Sequence, residues 1–286
     1  MKLARVDDSE LAIAQYVATH PLLTTSQLAT ALKRSHPRIA SLTAELRRKR
    51  LLEAVSLGTS EHRFRITKTG RHYVDVPGLN EAIYWRYVGL TGRPLVERRR
   101  SWQHDFRVQS WALAGYAHPH QARWDWESPP FVARRFPWQG RVWTVCFDAI
   151  AWLHTGDEAA AWGVEYATGS RHYTSALDQM NGYVAYLEWA HTDMAGLLVI
   201  CESQAVLDKA KERFEQALRL GPTGRIRLPV LFALRAAAVE LGPAGRIYES
   251  TEDAGLLSPL DIGPRRRCTA WHPFAAGSLP QWRAVR

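Results

Sequence analysis

Cysteine is scarce in this 286-residue chain: Cys146, Cys201 and Cys268 are its three thiols, with no CxxC spacing and no histidine at zinc-ligand distance. That excludes a disulfide framework or a zinc-stapled fold and leaves the reduced thiols of a cytosolic protein as the expectation. Long apolar runs are missing too: none approaches the ~18 residues of a membrane span. The opening Met1-Lys2-Leu3-Ala4-Arg5-Val6-Asp7-Asp8 lacks the apolar segment of a signal peptide. The expected localisation is cytoplasmic, with no membrane partner. There is no Walker loop, no GxSxG and no HExxH, so the common nucleotide, acyl-transfer and zinc-protease chemistries have no carrier here.

Acidic residues are few in one region. Residues 1–104 hold 18 Lys and Arg against 9 Asp and Glu, while the rest of the chain carries 19 of each. The whole net charge of +9 therefore sits in the first third, the electrostatic footprint of a protein that meets nucleic acid. The residue pattern beneath that charge points the same way. Residues 9–19 read as a helix capped by Asp8 or Ser9 and ended by His20-Pro21. Thr24 and Gln27 form a capping box flanked by the staple pair Leu23 and Leu28, which predicts a short second helix ending near Leu32.

After the turn Lys33-Arg34-Ser35 a third helix runs over 36–49, with Pro37 in its first turn and Ile39, Leu42 and Leu46 on one face. The opposite face carries Ser41, Ala44 and Arg48, flanked by Arg38, Arg47 and Glu45, so small residues let the backbone near base edges and arginines can reach guanine or phosphate. Strands over 51–57 and 62–66 around Gly58-Thr59-Ser60-Glu61 make a wing, and Thr67 caps a closing helix in Thr67-Lys68-Thr69-Gly70-Arg71. The pattern predicts a winged helix-turn-helix over 1–76 that binds double-stranded DNA, with Arg34, Ser35, His36, Arg38, Ser41, Arg47, Arg48, Lys49, Arg63 and Arg65 as contacts.

Residues 77–101 read as a basic connector with Arg93-Pro94 and Arg98-Arg99-Arg100. From 102 the composition turns aromatic and apolar, and residues 102–245 read as an α/β layer on a mixed sheet, followed by a carboxy-terminal extension over 246–286. A helix over 104–116 precedes strands at 124–127, 142–152 and 159–167. Helices over 172–190 and 204–220 flank a buried strand at 196–201, and 228–239 begins as a strand. A two-residue turn near Thr155-Gly156 would set Asp148 and Glu165 on the same face of adjacent strands. The fold class is thus α+β, an amino-terminal helical domain followed by a mixed-sheet layer.

This order resembles the replication-relaxation protein family of plasmids and integrative elements. The likeness rests on His104-Asp105-Phe106-Arg107-Val108 opening a helix, strands with Phe147-Asp148-Ala149 and Val164-Glu165-Tyr166, and Tyr183-Val184-Ala185-Tyr186 in a helix. It spans about residues 8–240. It implies a second domain similar to the PD-(D/E)xK restriction-endonuclease fold, with Asp148 and Glu165 as its metal-binding acids, Glu127 as a third carboxylate and Mg²⁺ as cofactor if that site is active. The lysine expected two residues after Glu165 is Ala167 here, with Arg171 or His172 as candidate substitutes, so the pair is expected to be degenerate. The histidine cluster of a relaxase is missing. The expected function is a DNA-binding accessory protein in replication or transfer initiation, with a relaxase or replication initiator as partner and a homodimer left open. An active endonuclease and a winged-helix transcription regulator are the alternatives.

Overall fold

The computed structural model describes residues 5–57, 61–74, 81–89, 102–118, 123–129, 131–155, 158–169, 173–189, 194–220, 229–251, 255–262 and 266–267. The wing turn at Gly58-Thr59-Ser60, Arg93 and Arg98-Arg99-Arg100 of the connector, Arg171, His172 and Cys268 lie outside them. The fold is mixed α+β. Two compact units divide it, the first running through Tyr116 with Glu127–Phe131 added, the second built from Ala117–Trp126 and Val132–Ala275.

In the first unit, α1 (Asp8–Thr19) starts one residue before the sequence suggests, because Asp7 is the cap: its carboxylate accepts from Ser9 and Glu10, and Glu10 reaches back to the Asp7 amide. β1 (Leu23–Thr24) leads into α2 (Thr25–Leu32), whose capping box of Thr24 and Gln27 closes as the spacing predicts, with Leu23 and Leu28 buried. Lys33 ends α2 in the left-handed region at φ 50° and turns the chain into α3 (His36–Arg48). Ile39, Leu42, Thr43 and Leu46 are the buried residues of α3, packed with α1 and α2. β2 (Leu52–Val55) and β3 (Arg63–Ile66) pair antiparallel, and β1 adds on the other side of β3.

Thr67 caps α4 (Lys68–Arg71) by accepting from the Gly70 amide at 2.9 Å. Gly70 is required by close approach: a Cβ there would lie 2.2 Å from the Leu51 carbonyl oxygen and 2.8 Å from the Ile66 side chain. α5 (Glu81–Val88) and α6 (Trp102–Ala117) complete this unit's helices among the described residues. α6 belongs here rather than to the second unit because its side chains reach back. Gln109 meets Arg63 and the Pro21 carbonyl, Asp105 accepts from Tyr87, and Tyr116 meets Tyr16.

The second unit is a seven-stranded sheet with a separate two-stranded ribbon. The sheet runs β11-β10-β9-β8-β7-β4, with β12 pairing β8. Its strands are β4 (Arg123–Glu127), β7 (Ala149–Thr155), β8 (Glu158–Ala167), β9 (Gly196–Cys201), β10 (Val230–Leu234), β11 (Glu249–Ser250) and β12 (Arg266–Arg267). β8, β9 and β10 are parallel neighbours joined through α7 (Tyr173–Trp189) and α8 (Gln204–Leu220), while β7 and β11 are antiparallel to theirs. β9 is buried at every position, as a central parallel strand must be. The short α9 (Arg235–Leu241) follows β10.

One expected element is divided. The alternation over 142–152 reads as a single strand, but it breaks at Phe147-Asp148. Its first part, β6 (Arg141–Cys146), pairs with β5 (Ala133–Trp138), a strand the pattern does not reveal, in a ribbon of its own. At the break the Phe147 ring stacks on Tyr183, with centroids 5.2 Å apart.

Candidate nucleic-acid interface and acidic pair

The outward face of α3 is built by subtraction. With Ile39, Leu42 and Leu46 turned inward, the 3.6-residue repeat leaves Arg38, Ser41, Ala44, Arg47 and Arg48 exposed, and Arg34, Ser35 and His36 are exposed at the preceding turn and first position. Ser35 occupies the cap position without a side-chain cap bond. Arg48 is 74% exposed and reaches Glu45 through Nε at 2.8 Å. That hydrogen bond is the main reason the Glu45 carboxyl sits below its ordinary range. The pair lies on the surface, where such contacts are weak and exchangeable.

Three of the expected contacts do not belong to this face. Lys49 donates to Glu10 at 2.6 and 2.7 Å, and Glu10 is only 2% exposed, so Lys49 clamps α3 to α1. Arg63 is buried, donating to the Leu22 carbonyl at 2.7 Å and to Gln109 at 3.1 Å with Phe106 stacked at 5.1 Å. Arg65 is spent on Glu53 and the Val88 carbonyl. Lys49, Arg63 and Arg65 are thus engaged in ties within the fold. Partners far along the chain take these cations, which local spacing cannot show.

In the second unit, Thr155 pairs with Glu158 and Ala149 with Val164, so the antiparallel register sets Asp148 opposite Glu165. Asp148 donates its amide to the Val164 carbonyl at 2.9 Å and accepts the Tyr166 amide on its carboxylate at 2.8 Å. Glu165 is 4% exposed, and one of its oxygens accepts from both the Tyr183 hydroxyl and Gln179. Burial, then the charges of Glu165 and Asp148, push the Tyr183 hydroxyl well above its ordinary pKa and keep it a donor.

These acids are therefore already supplied with protein hydrogen-bond donors. Glu127 is buried at the end of β4, and among the described residues no group of three or more His, Cys, Asp and Glu is arranged to hold a metal. A Mg²⁺ ion at Glu165 would have to share Oε2 with, or displace, the Tyr183 hydroxyl and Gln179. A feature missed in the sequence is a pocket beside Glu165, lined by Gln179, Thr168, Gly169, Lys209 and Arg213. The four-residue spacing of Lys209 and Arg213 on amphipathic α8 is the signal that could have suggested it.

No protein-family model, curated protein or solved structure matches the chain. Among the described residues no helix is long and apolar enough to cross a membrane.

Proposed function

We propose that this chain is a double-stranded DNA-binding accessory protein of a mobile element, acting in plasmid-type replication or transfer initiation beside a relaxase or replication initiator. In this reading the first unit is a winged helix-turn-helix with α3 in the major groove. The second unit is a nuclease-like scaffold whose acidic pair has become structural. The observation that carries it is the outward face of α3, where Arg38, Ser41, Ala44, Arg47 and Arg48 stand exposed in the part of the chain that holds the charge excess. The resemblance to the replication-relaxation family supports the biological setting.

Fluorescence anisotropy on duplex DNA tests it with Arg38→Ala, Ser41→Ala and Arg48→Ala. An arginine reading a base should cost about 1–3 kcal/mol, and one on phosphate should lower the salt slope by about one. Unchanged affinity in all three variants removes α3 from the interface.

A second reading, a metal-dependent endonuclease, draws on Lys209 and Arg213 lining the pocket beside Glu165, where they could supply the cation that Ala167 does not. Plasmid incubated with Mg²⁺ or Mn²⁺ separates the two. The proposal expects no cleavage. Cleavage that vanishes in both Asp148→Asn and Glu165→Gln would replace it with the nuclease.

A further inference from the structure

The pocket beside Glu165 lies wholly within the second unit, at the carboxyl end of β8, where β8 and β9 run parallel. That end of a parallel strand is where open α/β sheets take ligands. Gly169 brings β8 close to α8 there: its φ is 78°, and a Cβ would lie 2.8 Å from the Val206 side chain. The cavity holds about 70 Å³, room for roughly five water-sized groups.

Its lining carries both signs of charge. Glu165 of β8 supplies a buried carboxylate, and α8 supplies Lys209 and Arg213, which stand four residues apart and so share a face of the helix. The Lys209 side chain is exposed and makes no ion pair or hydrogen bond among the described residues. Gln179 of α7 donates to Glu165 at 2.8 Å and to the Tyr183 hydroxyl at 2.5 Å, both through Nε2, which leaves its amide oxygen as an acceptor. Met180 and Ala210, both buried, give the same pocket an apolar side.

This composition discriminates between ligands. A plain anion drawn to Lys209 and Arg213 would be brought toward the Glu165 carboxylate, and a plain cation drawn to Glu165 would meet two like charges. In a half-enclosed site either repulsion is felt more than in water. A small molecule with an acid at one end and N–H donors at the other satisfies both sets of groups.

We infer that this pocket binds a small zwitterion of the amino-acid class. Its carboxylate meets Lys209 and Arg213, its ammonium meets Glu165 and the Gln179 amide oxygen, and a short side chain rests against Met180 and Ala210. The site goes beyond DNA binding and stands whether or not α3 meets DNA. It needs no divalent metal, which separates it from the endonuclease reading of the same two cations.

The test is calorimetric titration of the full chain in EDTA with glycine, L-alanine and L-serine. Acetate and ethylamine serve as one-ended probes and inorganic phosphate as a plain anion. At least one amino acid should bind, and the one-ended probes and phosphate should bind roughly tenfold or more weakly, the cost of about one lost hydrogen bond to a charged group. Lys209→Met should weaken the amino acid by a similar factor and leave the thermal unfolding of the unliganded chain unchanged, because Lys209 is exposed. No binding of any amino acid at millimolar concentration overturns the proposal. So does phosphate binding as tightly as the amino acids, which makes the pocket a plain anion site. Binding that Lys209→Met leaves intact places the ligand elsewhere, and binding that appears only when Mg²⁺ replaces EDTA returns the pocket to the metal-dependent reading; each of these also overturns it.

Discussion

Two carboxylates, Glu10 and Glu45, show how α3 can carry both a clamp and a binding face. Glu10 is buried, completes the cap of α1 and receives Lys49. Lys49→Met leaves that carboxylate without its cation and should destabilise the fold by about 2 kcal/mol, below the cost for a fully buried pair because Lys49 keeps some exposure. Hydrogen bonding to Glu10 raises the Lys49 pKa above its ordinary 10.5, against the opposing effect of burial. A group whose folded pKa is raised stabilises fully below its unfolded value and loses that contribution as pH climbs through the folded value. Urea titrations should therefore show the gap between the natural chain and Lys49→Met at neutral pH and a shrinking gap above about pH 10.5; a constant gap would deny the ion pair its role. Glu45 is different. It lies among the outward arginines and occupies Arg48. Glu45→Gln removes a negative charge from the proposed interface and releases Arg48, so duplex binding should tighten several-fold and the salt slope should steepen by up to about one. Unchanged binding would mean that this face does not meet phosphate.

The elements that depend on neighbours in sequence were legible, and those that depend on distant ring packing were not. Thr24 with Gln27 and Thr67 with Gly70 announce α2 and α4 because capping is settled within four residues. The buried strands β8 and β9 likewise follow from apolar runs of strand length. The pairing of Asp148 with Glu165 also follows locally, from a short turn and a period of two. What spacing could not show is that the strand breaks where Phe147 stacks on Tyr183, that Tyr183 and Gln179 hydrogen-bond Glu165, and that α8 brings Lys209 and Arg213 to the same pocket. Gly163 makes that arrangement sterically possible, since a Cβ there would lie 2.4 Å from the Phe147 ring. Gly163→Ala should push the ring off Tyr183 and cost about 1–3 kcal/mol by overpacking. Thermal unfolding and the near-ultraviolet aromatic signal should change together. A variant with both unchanged would show that Phe147 has room to move.

At the scale of the molecule, the boundary between units decides which piece can stand alone. The charge excess and the helix-hairpin pattern suggest a self-sufficient domain over 1–76, while the first compact unit includes α5 and α6 as well. Cutting after 76 would deprive Arg63 of Gln109, Arg65 of the Val88 carbonyl, and the first unit of buried Tyr84, Tyr87 and Trp111. The Arg63 guanidinium is the costliest loss. Burial already pushes its pKa down, and a charged donor left short of an acceptor costs about 1.5–3 kcal/mol. Small domains have little stability in reserve, about 5–15 kcal/mol, so losing these ties together with a helical wall consumes much of it. A fragment of residues 1–117 should therefore melt cooperatively, while 1–76 should melt at least several degrees lower or without a cooperative transition, by circular dichroism at equal concentration. Both fragments retain α3, so under the proposed function duplex binding should follow the folded fraction and be stronger for 1–117. Equal melting temperatures for the two would show that α5 and α6 rest on the first unit without supporting it, and would return the boundary to residue 76.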